Sequence, residues 1–266
     1  MNRWKIGLPM YMACAPQDHR LLMQRIVDSL RAAGWTEPVE LVDGPDDLEA
    51  FWRSDMLLLG QACGYPLMTS LAGQVRLLGT PRYGFPGCED YRYCSFIMVR
   101  EDAAAGRLED LRGLRAAFNQ PNSQSGMNAL RHAVAPLALH GRFFSRVLAS
   151  GSHRASLHMV AEGRADAAAV DCITHGYLAL HAPHALDGLR ILCRTAAMPG
   201  LPLVASPRLD DASAALLRQV LHRVLANDAA AARLRLAGLA ATQLQDYQPI
   251  LDARQQARDR RYPELA

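Results

Sequence analysis

The sequence predicts an α/β protein made of two lobes. Short apolar runs alternate with helix-like segments along most of the 266 residues, which favours parallel or mixed sheets covered by helices. A Gly- and Pro-rich loop at 81–89 interrupts the alternation, and a second alternating block begins at residue 114. Half of the residues are hydrophobic and only 21% are charged, as expected of a folded globular protein.

The first block is predicted to form most of one lobe. Its clearest helix, 18–33, carries Leu22, Ile26 and Leu30 on one apolar stripe. In chain order, the predicted elements are a strand at 5–9, a helix at 18–33, a strand at 39–42, a helix at 46–52, a strand at 56–59, a helix at 64–71 and strands at 75–79 and 95–99.

The second block is predicted to form the other lobe. Its predicted strands are 114–118, 144–149, 165–170, 189–195 and 203–205, and its predicted helices are 127–139, 154–162 and 174–180. The Ala/Leu/Arg-rich tail from residue 212 is predicted to be helical and to return to the first block, because it has no sheet of its own to cover. Lobe 1 is therefore predicted to comprise 1–98 and 204–266, and lobe 2 to comprise 99–203. Two crossings would join the lobes, with a ligand cleft between them.

The segment Gln120–Gly126, QPNSQSG, places small hydroxyl residues and a glycine where a helix should begin. The first N–H groups of a helix lack intrahelical acceptors and lie at its positive dipole end, so a strand, a Ser-rich turn and a helix together favour anion binding. The alternative is that Ser123 or Ser125 is simply the N-cap of the helix.

Composition and motifs exclude several other functions. The net charge of +3 is too small to indicate a nucleic-acid partner, and the arginines at 254–261 alternate with aspartates as on a solvated helix face. None of the six cysteines forms a CxxC pair, and no histidine cluster has zinc spacing. The sequence shows neither GxxxxGKS nor GxSxG. It therefore predicts no metal ion and no cofactor.

The N-terminal sequence lacks the 7–15-residue apolar region of a secretory signal. No apolar run approaches the roughly 18 residues that a membrane helix needs, so direct membrane insertion is not expected. The chain as given is predicted to be cytoplasmic, or periplasmic if a leader was removed. Free thiols are favoured over disulfides, although Cys88 and Cys94 are close enough in sequence to pair.

Four stretches together resemble one protein family. They are GQACGY at 60–65, NSQSG at 122–126, ASGSHRASLHMVAEGRADAAAVDCITHGYL at 149–178, and MPGLPLVAS at 198–206. In order and spacing they are similar to the phosphate/phosphite/phosphonate-binding proteins of ABC transport systems. The resemblance implies the type II periplasmic-binding-protein fold, a small oxyanion ligand and an ABC permease as a partner.

The resemblance also implies a set of ligand-binding residues, namely Tyr65, Tyr93, Ser95, Ser123, Gln124, Ser125, His153 and Asp171. Tyr11, in the first loop after a strand, is a further candidate. Family members usually have Thr or Ser where this chain has Gln124, which changes the number of hydroxyl groups around the ligand.

These residue types suit a tetrahedral phosphorus oxyanion. Serine hydroxyls and backbone N–H groups donate to its oxygens without lysine or arginine, and His153 adds a ring donor. A carboxylate at Asp171 repels an oxyanion unless a proton lies between them, so it would select a protonated P–OH or an ammonium group.

Each of these candidates has a structural alternative. His153 could cap a helix that begins at Arg154, and Asp171 could cap the following helix. Tyr65 and Tyr93 could serve only in packing. Two functions remain open at this point: a solute-binding protein without catalytic activity, or a biosynthetic enzyme or lyase on the same fold that uses His153 and Asp171 as an acid/base pair.

Overall fold

A computed structural model describes residues 3–266 of the chain. The strands, in chain order, are β1 (Trp4–Gly7), β2 (Val39–Leu41), β3 (Leu57–Gln61), β4 (Arg76–Tyr83), β5 (Cys88–Glu89), β6 (Arg92–Tyr93), β7 (Ser95–Arg100), β8 (Arg115–Phe118), β9 (Arg146–Ala149), β10 (Ala167–Asp171), β11 (Leu189–Arg194), β12 (Met198–Pro199), β13 (Leu203–Ala205) and β14 (Leu236–Ala240). The α-helices are α1 (Pro9–Met12), α2 (Pro16–Ala32), α3 (Leu48–Trp52), α4 (Gly64–Met68), α5 (Ala129–Val134), α6 (His153–Ala161), α7 (Cys172–His181), α8 (Asp211–Asn227), α9 (Ala229–Arg233) and α10 (Gln248–Asp259).

The described chain divides into two compact units. Unit 1 comprises 3–85, Glu89–Arg92 and Pro199–Tyr247, and unit 2 comprises Pro86–Cys88, Tyr93–Met198 and Gln248–Ala266. This division differs from the predicted lobes in three regions. Residues 86–88 and 93–98, which include most of β7, and the residues from Gln248 onward belong to unit 2, whereas 199–203 belong to unit 1. The reason is pairing that is remote in sequence: β7 joins the sheet of unit 2, and the backbone N–H groups of Phe143 and Phe144 both donate to the carbonyl of Ala266 at 2.9 Å.

Unit 1 is built on a mixed six-stranded sheet in the order β14-β4-β13-β3-β1-β2. Strands β1, β2 and β3 are parallel, whereas β13 runs antiparallel to β3 and β4. Helix α2 begins with Pro16 in its first turn, where a missing N–H costs nothing. It buries the predicted stripe of Leu22, Ile26 and Leu30.

The predicted helical tail is wrong at one place, because it contains strand β14. This strand follows Arg235, whose φ of 56° ends helix α9, and it pairs antiparallel with β4 through Leu236 and Tyr83. Its sequence, LAGLA, has no β-branched residue, so its local preference does not favour a strand. Pairing with β4 overrides that preference, and Gly238 supplies a φ of +115° within the strand.

Unit 2 is built on a mixed five-stranded sheet in the order β11-β7-β10-β8-β9. Strands β8, β9 and β10 are parallel, and β7 is antiparallel to β10. Every residue of β10 is buried, as expected for a strand covered on both faces. The register pairs Asp171, at the end of β10, with Ser95, at the start of β7. Both residues therefore lie at the edge of the sheet where the parallel strands end.

The helix predicted at 127–139 begins earlier in the structure, at Gln124, and ends earlier, at Leu137. It begins with a π-helical turn at Gln124–Asn128, continues as α5 and closes with a 3-10 turn at Ala135–Leu137. The turn begins inside the Ser-rich segment Gln120–Gly126, so the first helical N–H groups belong to that segment. A π-helical turn is rare and is frequently found at functional sites.

Candidate functional site

Three helical segments of unit 2 begin at the same edge of its sheet. The π-helical turn follows β8, α6 follows β9 and α7 follows β10. These three strands are parallel, and Phe118 at the end of β8 pairs in register with Ala149 at the end of β9. Their carboxyl ends, and the helix N-termini that follow, are therefore brought together.

Each of these helical segments has a side-chain N-cap. Ser123 accepts from the N–H of Gly126 at 3.1 Å, Ser152 from Ala155 at 3.1 Å, and Asp171 from Thr174 at 2.8 Å. The N-cap alternatives for Ser123 and Asp171 are thus observed. The capping alternative for His153 is wrong, because Ser152 is the cap and His153 is the first residue of α6.

His153 is the central residue of the cluster. Its Nε2 atom lies 2.8 Å from the hydroxyl oxygen of Ser125, 3.2 Å from Oδ2 of Asp171 and 3.4 Å from Nδ2 of Asn119. The side chain of His153 is 12% exposed and that of Asp171 is 3% exposed. The sequence-predicted residues Ser125, His153 and Asp171 are therefore in direct contact.

The charge state of His153 follows from its burial. Burial lowers the pKa of His153 below its ordinary value, although the charge of Asp171 and the Ala169 carbonyl oppose this shift. The ring is therefore neutral at neutral pH. Because Nε2 faces a carboxylate oxygen, the single ring proton is assigned to Nε2, which donates toward Asp171 and Ser125.

The carboxylate of Asp171 is hydrogen-bonded within unit 2. Oδ1 accepts from the N–H of Thr174, and Oδ2 accepts from the Thr174 hydroxyl at 2.6 Å in addition to facing Nε2 of His153. These contacts satisfy both oxygens of the buried carboxyl group, and they fix the orientation of the His153 ring.

Ser95 and Gln124 hold the backbone and the helix around this cluster. The hydroxyl of Ser95 donates to the carbonyl of Ser125 at 2.9 Å. The Oε1 atom of Gln124 accepts from Nδ2 of Asn128 at 2.7 Å. Both side chains are buried, and both contacts fix the turn that presents Ser125.

The tyrosine candidates are buried, and their roles in binding remain predictions. Tyr93, in unit 2, ends β6 two residues before Ser95. In unit 1, Tyr65 lies in α4, and Tyr11 packs edge-to-face on Tyr83 with ring centroids 5.6 Å apart.

Sequence reasoning missed Asn119, Thr174 and Thr195. Asn119 lies so close to Gly126 that a Cβ atom at Gly126 would be 2.0 Å from Oδ1 of Asn119. Thr195 accepts from the N–H of Ser95 at 2.9 Å. The signal for Thr174 was present, because a threonine three residues after an N-cap aspartate is placed to donate back to it. The contact of Thr195 depends on the pairing of β11 with β7, and that of Asn119 depends on the conformation of the loop after β8.

Within 3–266, no group of three or more His, Cys, Asp or Glu side chains is arranged to hold a metal ion. None of the helices in this range combines the length and apolar character required to span a membrane.

The chain is an α/β protein of two compact units, and a comparison with known families shows its class. A family model described as "ABC transporter, phosphonate, periplasmic substrate-binding protein" matches residues 50–247, which is well over half of the chain. The chain belongs to this family. A comparison with curated proteins finds no match.

Solved structures of similar fold come from several bacteria. PhnD1 of Prochlorococcus marinus, in complex with methylphosphonate, has a TM-score of 0.77 at 16% identity, covering 96% of this chain and 98% of that one. A binding-protein component of an ABC phosphonate transporter from Pseudomonas aeruginosa has a TM-score of 0.76 at 19% identity, covering 97% and 88%. A Xanthomonas citri protein bound to ATP has a TM-score of 0.70 at 18% identity, covering 98% and 99%.

These comparisons confirm the predicted fold class, the type II periplasmic-binding-protein fold, and the predicted family. The chain is a substrate-binding protein and not an enzyme. The geometry of His153 agrees with this conclusion. A Ser-His-Asp relay places serine and aspartate on opposite ring nitrogens, whereas here Ser125 and Asp171 both contact Nε2.

Proposed function

We propose that the protein binds a small phosphorus oxyanion (phosphate, phosphite or a phosphonate) at the helix N-termini around His153. The observation that carries this proposal is the contact of Ser125 with Nε2 of His153, at the start of two helical segments that follow parallel strands. The family description and the methylphosphonate bound to a protein of the same fold support this ligand class.

The number of hydroxyl hydrogens that remain available supports binding of the oxyanion by neutral donors. The hydroxyl oxygen of Ser123 accepts from Gly126, and that of Ser125 lies within hydrogen-bond distance of the proton assigned to Nε2 of His153. Each hydroxyl therefore retains its own hydrogen for a ligand oxygen. Helix dipoles and backbone N–H groups supplement these two donors. The Ser95 hydroxyl hydrogen is already donated to the Ser125 carbonyl, so we assign Ser95 a supporting role.

Asp171 would set the selectivity of the site. Its negative charge lies 3.2 Å from Nε2 of His153, next to the proposed ligand position. An oxyanion that carries a proton, or a ligand with an ammonium group, reduces the repulsion with this charge. We therefore expect affinity to rise as the pH falls through the second ionisation of the phosphorus ligand, and a fully ionised ligand such as ATP to bind weakly.

The proposed biological role is capture of this solute in the periplasm for an ABC permease, or for sensing. The description of the family as a periplasmic substrate-binding protein of an ABC transporter supports this role.

Calorimetry and thermal shift with phosphate, phosphite, methylphosphonate, 2-aminoethylphosphonate, sulfate and ATP test the proposal. A ligand at about 100 times its dissociation constant should stabilise the fold by about 2.7 kcal/mol. A selective shift with phosphate, phosphite or one of the two phosphonates supports the proposal and names the ligand. No shift with any of these four compounds, or a shift with ATP or sulfate alone, would refute it.

Three variants locate the site. Ser125→Ala and Ser123→Ala should each weaken binding by about 1–3 kcal/mol, because each removes a donor to a charged oxygen. Ser152→Ala is the matched control. It removes an N-cap at the same edge of the sheet, but the hydroxyl of Ser152 is not among the proposed ligand donors, so affinity should not change. Equal affinity in wild type, Ser123→Ala and Ser125→Ala would show that the ligand does not bind at these serines.

Two further substitutions, with one control, test the predicted roles of Asp171 and Tyr65. Asp171→Asn should reduce the preference for protonated over fully ionised ligands, whereas Asp210→Asn, a change in a similar but exposed cap, should not. Tyr65→Phe removes only a hydroxyl, and weaker binding in this variant would support a direct contact by Tyr65. Unchanged selectivity in Asp171→Asn would contradict the role of that carboxylate.

A further inference from the structure

Three of the six cysteines form a thiol cluster in unit 2, made of Cys88, Cys94 and Cys172. The sulfur atoms of Cys88 and Cys172 are 3.5 Å apart, and all three residues are free thiols. Cys94 and Cys172 are buried, with 6% and 1% exposure, whereas Cys88 is partly exposed. Cys88 is therefore the most exposed residue of the cluster, and the sulfur of Cys172 is in van der Waals contact with its sulfur.

The backbone holds the cluster in place. The N–H of Cys172 donates to the carbonyl of Cys94 at 3.0 Å, and the N–H of Cys94 donates to the carbonyl of Gly87 at 3.2 Å. Gly87 has a φ of +97°, and a Cβ atom there would lie 2.8 Å from Cβ of Cys172 and 3.0 Å from the sulfur of Cys94. Only glycine fits at this position without displacing a cysteine, so the packing depends on a residue without a side chain.

The cluster also adjoins the candidate binding residues in sequence. Cys172 directly follows Asp171, and Cys94 directly precedes Ser95. A new covalent bond at Cys172 would therefore act on the first residue of α7, whose cap holds the ring of His153.

We propose that Cys88 and Cys172 form a thiol–disulfide exchange site, which closes to an intramolecular disulfide on reaction with a small disulfide oxidant. The thiolate of Cys88 attacks the oxidant, forms a mixed disulfide and releases one thiol. The thiol of Cys172 then loses its proton, attacks the sulfur of Cys88 and releases the second thiol. Two cysteine thiols are oxidised, and one disulfide is reduced to two thiols.

The order of these steps follows from the environment of each thiol. The neighbouring thiol of Cys88 and burial raise the pKa of Cys172, and the neighbouring Cys172 and burial raise the pKa of Cys94. Both therefore remain protonated at neutral pH, and Cys88 is the accessible residue that begins the reaction. A disulfide needs sulfur atoms about 2.05 Å apart. The two sulfur atoms, now 3.5 Å apart, must therefore move closer by about 1.5 Å when the bond forms.

The test uses the full chain, fully reduced and then incubated with oxidised glutathione, alkylated and analysed by peptide mass spectrometry. The expected result is loss of two of the six thiols and a peptide that links Cys88 to Cys172. Cys172→Ser should instead stop at a Cys88–glutathione mixed disulfide, and Cys88→Ser should leave Cys172 unmodified. These outcomes do not depend on the identity of the bound solute.

Cys193→Ser is the matched control, because Cys193 is a partly exposed cysteine of the same unit outside the cluster. This variant should form the Cys88–Cys172 product at the wild-type rate. The proposal would be overturned if wild type accumulated only the mixed disulfide at Cys88, or if the main linked peptide contained Cys94.

Discussion

The same capping pattern occurs at two helices in very different surroundings. Asp171 caps α7 and contacts both the N–H and the hydroxyl of Thr174, at 2.8 and 2.6 Å. Asp210 caps α8 and contacts the N–H and the hydroxyl of Ser213, at 2.8 and 2.9 Å. In both cases an aspartate precedes a Ser or Thr by three residues. The local structures are nearly identical, and only the environment separates them.

Asp171 is 2% exposed and lies beside His153, whereas Asp210 is exposed on the surface of unit 1. A cap motif therefore predicts where a helix begins but does not predict whether the carboxylate serves a site. That difference comes from the strands before each helix. Strand β10 ends inside the sheet of unit 2, where the neighbouring strand β7 supplies Ser95 and helix α6, which follows β9, supplies His153. The two caps can be compared directly by matched substitutions.

The largest expected difference is between Asp171→Ala and Asp210→Ala. Asp171→Ala leaves buried donors of Thr174 and His153 without their acceptor, and should reduce the free energy of unfolding by about 3–5 kcal/mol. Asp210→Ala should cost much less, because water replaces the carboxylate. Chemical denaturation of both variants measures the difference.

Hydrogen exchange at the first turns of α7 and α8 separates local fraying from global destabilisation. Asp210→Ala should accelerate exchange only in α8. If the two substitutions reduced stability equally, burial would not distinguish the two caps, and the special role given to Asp171 would be lost.

A smaller effect is expected from the hydroxyl partners. Thr174→Ala removes one donor to a buried carboxylate and should cost about 1–3 kcal/mol, whereas Ser213→Ala should remain within about 0.5 kcal/mol of wild type. Thr174→Ser restores the hydroxyl and should recover most of the loss. A failure of Thr174→Ser to recover stability would assign the loss to the methyl group instead of the hydrogen bond.

Much of the fold could be predicted, because its elements have clear local signals. The stripe on α2, the buried run of β10 and the Ser-rich start after β8 all follow from the periodicity of apolar residues and from capping preferences. The error at β14 arose because its strand conformation depends on β4, more than 150 residues earlier in the chain. The placement of β7 and α10 in unit 2 likewise depends on partners that are remote in sequence.

The candidate site was predictable as a set of residue types but not as a set of contacts. His153 and Asp171 lie 18 positions apart in the sequence, and only the parallel register of β8, β9 and β10 brings their helices together. The contact of Asn119 with Gly126 has no sequence signature of its own. The sequence identifies which polar residues follow the ends of strands. Which of them form hydrogen bonds with each other depends on how the strands are ordered and paired in the sheet.

The smallest expected effect is the pH dependence of stability that comes from His153. This residue contacts the cap Asp171, and Asp210 has no such neighbour among its contacts described above. Burial lowers the pKa of His153 in the folded state, while the unfolded chain has a value of about 6.5. As the pH falls below about 6.5, the unfolded state binds a proton that the folded state does not, so stability decreases by at most about 1.4 kcal/mol per pH unit until the folded pKa is reached. Denaturation of wild type from about pH 7.5 to about pH 5 should show this loss, and His153→Gln should show a smaller pH slope.

His158→Gln provides the control for that measurement, because His158 is exposed on the same helix and pairs with Glu162. It should keep the wild-type slope on the acid side. Equal slopes in wild type and His153→Gln would mean that His153 takes up its proton in the folded state as readily as in the unfolded chain. Below about pH 6.5 the ring would then be charged beside Asp171, and the site would offer a proposed oxyanion an ion pair in place of the neutral donors inferred from its burial.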